Sequence, residues 1–277
     1  MARLATVAAF GFDDFHPPQI LDLYRRLGCT RCQFYRNEDN PPTVADARRI
    51  TDEAGVPIDS MHGVFGDRYD PSNPDESIRA KAVEVYKREG ELALELGGPM
   101  VVVHPSAPAP DGFMVSRKQR QQRVDPLRRS MSELAEFGQA HGVVYLWENN
   151  PHNHFMGNDP LQLADLLREL DSPHARMCYD TGHAMMTGPV AKRLIACADV
   201  IGYLHIHDND GRVDDHRMPG DGEIDWNAVR DALAKTQLDV SAMLEVFYLA
   251  DRLEELTRTD LPGKLAQWMN TAATPAA

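Results

Sequence analysis

The sequence predicts a (β/α)₈ barrel, and three observations carry that expectation. Short apolar runs alternate with helical patterns eight times along the 277 residues, the content of a strand–helix barrel. The runs are near-continuous in Val, Ile, Leu and Met, as in parallel strands buried on both faces. Six of them close on a histidine or a carboxylate: Ile58–His62, Val101–His104, Val143–Glu148, Met177–Asp180, Val200–His205 and Met243–Glu245. Barrels of this kind place their active sites at the C-terminal ends of the strands, so the six endings point to one rim.

Taken in order, Leu4–Phe10 reads as the first strand. Pro17–Leu27 follows as a helix with proline in its first turn. Thr30–Tyr35 is the second strand and Val44–Ala54 its helix. Ile58–His62 is the third, followed by a long helical pattern over Glu76–Leu96. Gly97 closes that helix, and Gly98 and Pro99 bar its continuation. Met100–His104 is the fourth strand, with a helix near Gln121–His141. Val143–Glu148 is the fifth, with a helix near Pro160–Leu170. Arg176–Asp180 is the sixth, with a short helix near Val190–Cys197. Val200–His207 is the seventh, with a helix over Trp226–Lys235. Val240–Phe247 is the eighth, with a closing helix near Leu253–Met269. The tail 271–277 reads as frayed. An open doubly wound sheet is the competing arrangement, but it usually carries a Gly-rich phosphate turn after its first strand, and Phe10-Gly11-Phe12-Asp13-Asp14 is not one. No linker interrupts the pattern, so one domain, 1–277, is expected.

The formal net charge is −13, from 42 acids against 29 Lys and Arg. That balance disfavours nucleic acid and anionic membranes as partners, although a local basic pocket can override the mean. No apolar window approaches 18 residues and no signal-peptide pattern opens the chain, so a cytoplasmic location is expected. Cys29-Thr30-Arg31-Cys32 has redox-motif spacing, yet it falls at the start of a strand, far from the rim. Buried, inert thiols are the expectation there.

Three further residues join the strand ends: His183 in Asp180-Thr181-Gly182-His183, and Asp214 and His216 in the loop 210–220. The set is then His62, His104, His183, His205, His216, Asp180, Asp214, Glu148 and Glu245. Imidazole with carboxylate suits Zn²⁺, Mn²⁺, Fe²⁺ or Co²⁺ better than Ca²⁺, which takes all-oxygen shells. A single strand-end histidine is more often packed or hydrogen-bonded than a ligand. A glutamate closing a buried apolar strand is different, because it is costly unless paired or metal-bound. Together they predict one to three divalent ions per chain, Mn²⁺, Zn²⁺ or Co²⁺.

At these residues the chain resembles the xylose-isomerase-like TIM-barrel superfamily, which includes endonuclease IV, the ketose 3-epimerases, and inositol-catabolic isomerases and dehydratases. The resembling segments are Met61-His62-Gly63, Val103-His104-Pro105, Glu148-Asn149-Asn150, Asp180-Thr181-Gly182-His183, His205-Ile206-His207-Asp208-Asn209-Asp210, the run from Pro219 to Trp226, and Leu244-Glu245. Resemblance to the epimerases implies one metal on Glu148, Asp180, His205 and Glu245, with the two Glu also moving protons as the catalytic pair. It implies that His183 and an arginine, Arg212 or Arg217, hold substrate oxygens. Resemblance to endonuclease IV implies three zinc ions: His62, His104 and Glu148; Glu148, Asp180, His205 and Glu245; and His183, Asp214 and His216. Members of the superfamily often pair, so a homo-oligomer is a further expectation.

Three functions follow for comparison. The first is a metal-dependent sugar isomerase or epimerase working by proton transfer beside a carbonyl, with a dehydratase as its variant. The second is an apurinic-site endonuclease, favoured by nine ligands but not by charge, since DNA affinity needs Lys and Arg on phosphates. The loops Arg36–Pro42 and Gly66–Pro71 each carry one basic residue. The third is a non-catalytic binding protein, which has no use for two opposed carboxylates. His154, and with less support His152, are candidate substrate contacts. His207 shares the face of His205 by strand alternation and is expected above the metal, near substrate. Trp147 is expected to point out to the helices, Trp226 to pin the loop before it, and Asp59 and Asp225 to be capping or loop residues.

Overall fold

The computed structural model describes residues 2–110 and 114–269; the tail 271–277 lies outside them. Eight parallel strands close into a barrel in sequence order, with β1 (Arg3–Phe10) hydrogen-bonded to both β2 (Arg31–Arg36) and β8 (Ser241–Leu244). Between lie β3 (Ile58–His62), β4 (Met100–Val103), β5 (Val144–Glu148), β6 (Ala175–Asp180) and β7 (Ile201–Ile206). The crossover helices are α1 (Pro17–Arg26), α2 (Val44–Glu53), α3 (Glu76–Leu96), α4 (Arg117–His141), α5 (Pro160–Leu170), α6 (Thr181–Met185), α7 (Val190–Cys197) and α8 (Trp226–Thr236), and α9 (Ala250–Leu256) and α10 (Leu261–Trp268) follow β8.

Strand alternation divides the core in two. Ala5, Val7, Ala9, Val102, Leu146, Cys178, Tyr203 and Met243 fill the barrel interior. Their neighbours, including Val101, Val103, Tyr145, Trp147, Met177, Tyr179, Leu204 and Leu244, face the helices in the outer core. Trp147 is outward and fully buried, as the pattern required. Because inward positions recur every second residue, the next inward positions after Val102, Leu146, Cys178, Tyr203 and Met243 are His104, Glu148, Asp180, His205 and Glu245.

Two register slips bring histidines into this arrangement. Cys32 pairs with Ile58 but Gln33 with Ser60, so Asp59 is an extra residue in β3. Met177 pairs with Ile201 but Cys178 with Tyr203, so Gly202 is an extra residue in β7. A one-residue slip reverses every later side chain; without these two, His62 and His205 would point away from the interior. Gly202 is required by space, since a Cβ there would lie 2.7 Å from Arg176 Cβ. Asp59 is therefore a strand bulge rather than a cap or loop residue. It accepts hydrogen bonds from Ser60 Oγ (2.9 Å), Tyr203 OH (3.0 Å) and Ser241 Oγ (2.5 Å). Asp225 caps α8 by accepting from Ala228 N at 3.0 Å, as expected.

β7 and β8 are shorter than the sequence reading, and three helices also differ from it. α4 begins at Arg117, four residues before the expected start, because Ser116 and Gln119 form a reciprocal capping box. The closing helix is two helices. Between them Thr257 and Thr259 donate back to Glu254 O and Leu256 O, each at 2.8 Å, competing with the helix ladder, and proline opens α10. The short α6 was not expected at all. It starts where Asp180 Oδ1 accepts from His183 N at 2.6 Å, and it carries His183 back over the barrel mouth.

Candidate metal centre

The nine expected ligands converge at the C-terminal mouth in adjacent groups whose donor atoms lie within 4.8 Å of one another. At the centre, His205 Nδ1 stands 3.0 Å from Glu148 Oε1, 3.0 Å from Glu245 Oε2 and 4.0 Å from Asp180 Oδ2. On the far side of Glu148, Oε2 is 3.1 Å from His104 Nε2 and 3.8 Å from His62 Nε2. Across the mouth, Asp214 Oδ2 is 3.1 Å from His183 Nε2 and 3.5 Å from His216 Nε2.

The donor chemistry fits divalent cations. Among the described residues, eleven buried side-chain nitrogen and oxygen atoms have no hydrogen-bond partner, and eight belong to His104, Glu148, Asp180, His205, His207, Asp214 and Glu245. Buried polar atoms are costly when unpaired, and a cation would satisfy the orphaned oxygens of Glu148, Asp180, Asp214 and Glu245 together; the orphaned His104 Nδ1 and His205 Nε2 are the ring nitrogens turned away from these carboxylates. Three of the imidazoles have a fixed tautomer. Nδ1 of His62, His183 and His216 each meets a backbone carbonyl, Gly63 O, Asn149 O and Glu245 O, at 2.8 Å. A carbonyl only accepts, so each Nδ1 donates and Nε2 is left as the nitrogen that would bind an ion, the usual support behind a metal-bound histidine.

The electrostatics agree. Burial opposes the charge on Glu148 and Glu245, yet His205 and its neighbours outweigh it and hold both carboxyls well below the usual range. Burial likewise opposes charge on His183, but Asp180 and Asp214 hold its pKa well above the ordinary value. His216, half-buried beside Asp214 and Glu245, is pushed up to about 9 by these carboxylates against the opposing effect of burial. His104 goes the other way, lowered by burial more than Glu148 raises it. The field that keeps protons on His183 and His216 is one that attracts a cation.

Above the carboxylates is a cavity of about 640 Å³. His62, His104, Glu148 and Glu245 line it, and Tyr35, Phe65, Met186, Val213 and Phe247 supply apolar wall. These wall residues were not singled out from sequence: Tyr35 is an ordinary inward position of β2, and Phe65, Val213 and Phe247 stand outside strands and helices, where no periodicity marks them. His152 and His154 also line the cavity. Burial, with His104 and His183 nearby, lowers His154 to about 3, so it is neutral at neutral pH. Among the described residues, Arg212 is the one Lys or Arg that lines the cavity.

Two expectations need correction. Arg217 does not line the cavity; its guanidinium pairs with Asp215 at 2.6 Å and its backbone bridges Asp208. His207 does not sit above the metal groups facing substrate. It is fully buried, with Nε2 3.1 Å from Asp180 Oδ1 and 3.7 Å from Asp214 Oδ1; β7 ends at Ile206, and the His207 backbone is held by Thr181 Oγ1, which donates to His207 O at 2.9 Å and accepts from His207 N at 3.2 Å. Asp208, given no role from sequence, organises the loop that follows β7. Its oxygens accept from Asn209 N, Gly220 N, Ile224 N and Trp226 Nε1 at 2.7–3.1 Å. Trp226, also packed 5.8 Å from the Trp268 ring, thus pins the loop as expected.

A family model described as "xylose isomerase-like TIM barrel" matches residues 4–271. The chain belongs to that family. Protein y4fM of Sinorhizobium fredii is 29% identical to this xylose isomerase-like barrel, over 78% of this chain and 76% of that protein. A crystal structure of D-allulose 3-epimerase from Methylomonas sp. in complex with D-allulose superposes with a TM-score of 0.75 at 19% identity, covering 97% of this chain and 96% of that one. A crystal structure of an AP endonuclease, family 2, from Brucella melitensis superposes at 0.69 and 16% identity, covering 98% and 99%. At these identities the structures share the xylose isomerase-like fold with both kinds of enzyme. Among the described residues no helix is long and apolar enough to cross a membrane.

Proposed function

We propose that this protein is a divalent-metal-dependent isomerase or epimerase of a sugar or sugar derivative, acting by proton transfer beside a carbonyl. The observation that carries the reading is the pair Glu148 and Glu245, each 3.0 Å from the same His205 nitrogen, on the floor of a cavity of small-molecule size. Glu148, Asp180, His205 and Glu245 would hold the ion, Mn²⁺, Zn²⁺ or Co²⁺. Bound there, it would polarise the substrate carbonyl and the neighbouring hydroxyl and acidify the C–H between them. One glutamate takes that proton, and the other glutamate or a histidine returns it to carbon. Neutral His154 hydrogen-bonds a substrate hydroxyl, and Arg212 holds an oxygen at the rim. The walls of Tyr35, Phe65 and Phe247 exclude water and cover an apolar sugar face. Loss of a β-hydroxyl after the same proton removal would make the enzyme a dehydratase.

A second reading, multinuclear phosphodiester hydrolysis, is favoured by one observation, the third ligand group around Asp214. Multi-metal sites stabilise attacking and leaving oxygens together. Against it stand the −13 charge and the single arginine of the cavity lining. The deciding experiment incubates metal-refilled protein with ketoses and aldoses in D₂O. Deuterium at the carbon beside the carbonyl, with a new sugar, is the expected result. Two to three zinc ions per chain, no exchange into any sugar, and cleavage of a phosphodiester would transfer the assignment to hydrolysis.

A further inference from the structure

We infer that His207 is a fourth protein ligand, and that His183, His207, Asp214 and His216 form a closed zinc site that clamps the loop over the cavity. The inference rests on the metal-binding part of the preceding reading and not on the reaction.

Four observations converge on it. First, the donors are close enough to share one ion: one atom from each of the four residues lies within 4.8 Å of the others. Zinc–nitrogen bonds near 2.0–2.1 Å put tetrahedral donors about 3.4 Å apart. Asp214 Oδ2 stands 3.1 Å from His183 Nε2 and 3.5 Å from His216 Nε2, and its Oδ1 stands 3.7 Å from His207 Nε2, which also lies 3.1 Å from Asp180 Oδ1. Second, His207 is fully buried and neither ring nitrogen has a hydrogen-bond partner. Third, the fold makes room for this ring. A Cβ on Gly182 would lie 2.0 Å from His207 Cε1, so only glycine at 182 leaves the imidazole its place. Fourth, His216 reaches the group through a left-handed backbone, φ +45°. The other described non-glycine residues with positive φ, Asp171 and Gln237, end helices. His216 ends none, and strained backbone of this kind persists where surrounding structure demands it.

Three imidazoles and one carboxylate fill a tetrahedral shell, which marks a structural site, whereas catalytic zinc keeps a position open. The nitrogen-rich set selects zinc, while the oxygen-rich set of Glu148, Asp180, His205 and Glu245 also accepts Mn²⁺. The consequence is mechanical. His183 comes from α6, His207 from the end of β7, and Asp214 and His216 from the loop. One ion therefore ties three segments together and holds Arg212 and Val213, which line the cavity, in place.

The test uses the full-length protein, purified without added metal and then loaded with Zn²⁺ or Co²⁺. Wild type is compared with His207→Gln and Gly182→Ala, with thermal unfolding as the check on folding. Expected for wild type is one zinc ion held against a competing chelator, and an intense visible Co²⁺ spectrum, since four-coordinate cobalt absorbs far more strongly than five- or six-coordinate cobalt. His207→Gln should weaken that ion at least a hundredfold, and both variants should lose the intense bands. Trypsin should cut after Arg212 slowly in the loaded wild type and rapidly after chelation. A weak wild-type cobalt spectrum overturns the closed site even where neither variant folds. So does unchanged zinc affinity in His207→Gln, and if isomerisation persists there the proposed function survives alone. A wild type that binds no metal overturns both.

Discussion

Asp208 gives the most quantitative prediction, because its four side-chain contacts are all donors, three in the loop that follows β7 and one from Trp226 at the start of α8. In Asp208→Asn the amide oxygen can keep two of them, Asn209 N at 3.0 Å and Ile224 N at 3.1 Å. The amide nitrogen then faces Gly220 N and Trp226 Nε1, which now sit 2.9 and 2.7 Å from Oδ2. Donor meets donor at both. Hydrogen bonds to a charged acceptor contribute about 1.5–3 kcal/mol each. The Gly220 amide lies in an exposed residue and recovers water, while Trp226 is 3% exposed and does not. The expected loss is therefore about 3–4 kcal/mol. At this chain length roughly 2 °C of Tm corresponds to each kcal/mol, so Tm should fall by about 6–8 °C. The assay is thermal unfolding by circular dichroism on metal-free protein, so that ion binding does not enter. A Tm within about 1 °C of wild type would refute the argument that this carboxylate holds the loop.

Other outcomes follow from the same structure. Glu245→Gln, checked for retained metal, should lower turnover by roughly 10²–10⁴ while substrate still binds; full activity with normal deuterium exchange would remove Glu245 from proton transfer. His154 titrates near 6.5 when unfolded but near 3 when folded, because it is buried near His104 and His183. The unfolded chain thus takes up its proton first, and stability is lost as pH falls from 6.5 towards 3. His154→Asn should remove about 2 kcal/mol of that loss at pH 5; parallel stability–pH curves for the two proteins would contradict the burial argument. All four cysteines are buried, and Cys29 and Cys32 donate to Ala5 O and Val56 O with pKa values raised by burial. No thiol should react with a disulfide reagent before unfolding, and prompt reaction of even one would show that the Cys29–Cys32 segment opens.

What the sequence determined by itself was the barrel and its ligand endings. Near-continuous apolar strands with helices between them have few other ways to bury both faces. The two-residue period then puts Glu148, Asp180 and Glu245 on the inside with Leu146, Cys178 and Met243. Position along a strand was thus legible, but contact between distant segments was not. That His62 and His205 face inward depends on extra residues at Asp59 and Gly202, which no periodicity announces. The role of His207 depends on the space left by Gly182 on another element, and the displacement of Arg217 on a nearby aspartate. The cavity wall of Tyr35, Phe65 and Phe247 exists only when the end of β2 meets the chain after β3 and β8. Local pattern encodes the face a side chain takes within its own element; which atoms it then meets is settled by close packing among elements far apart in the chain.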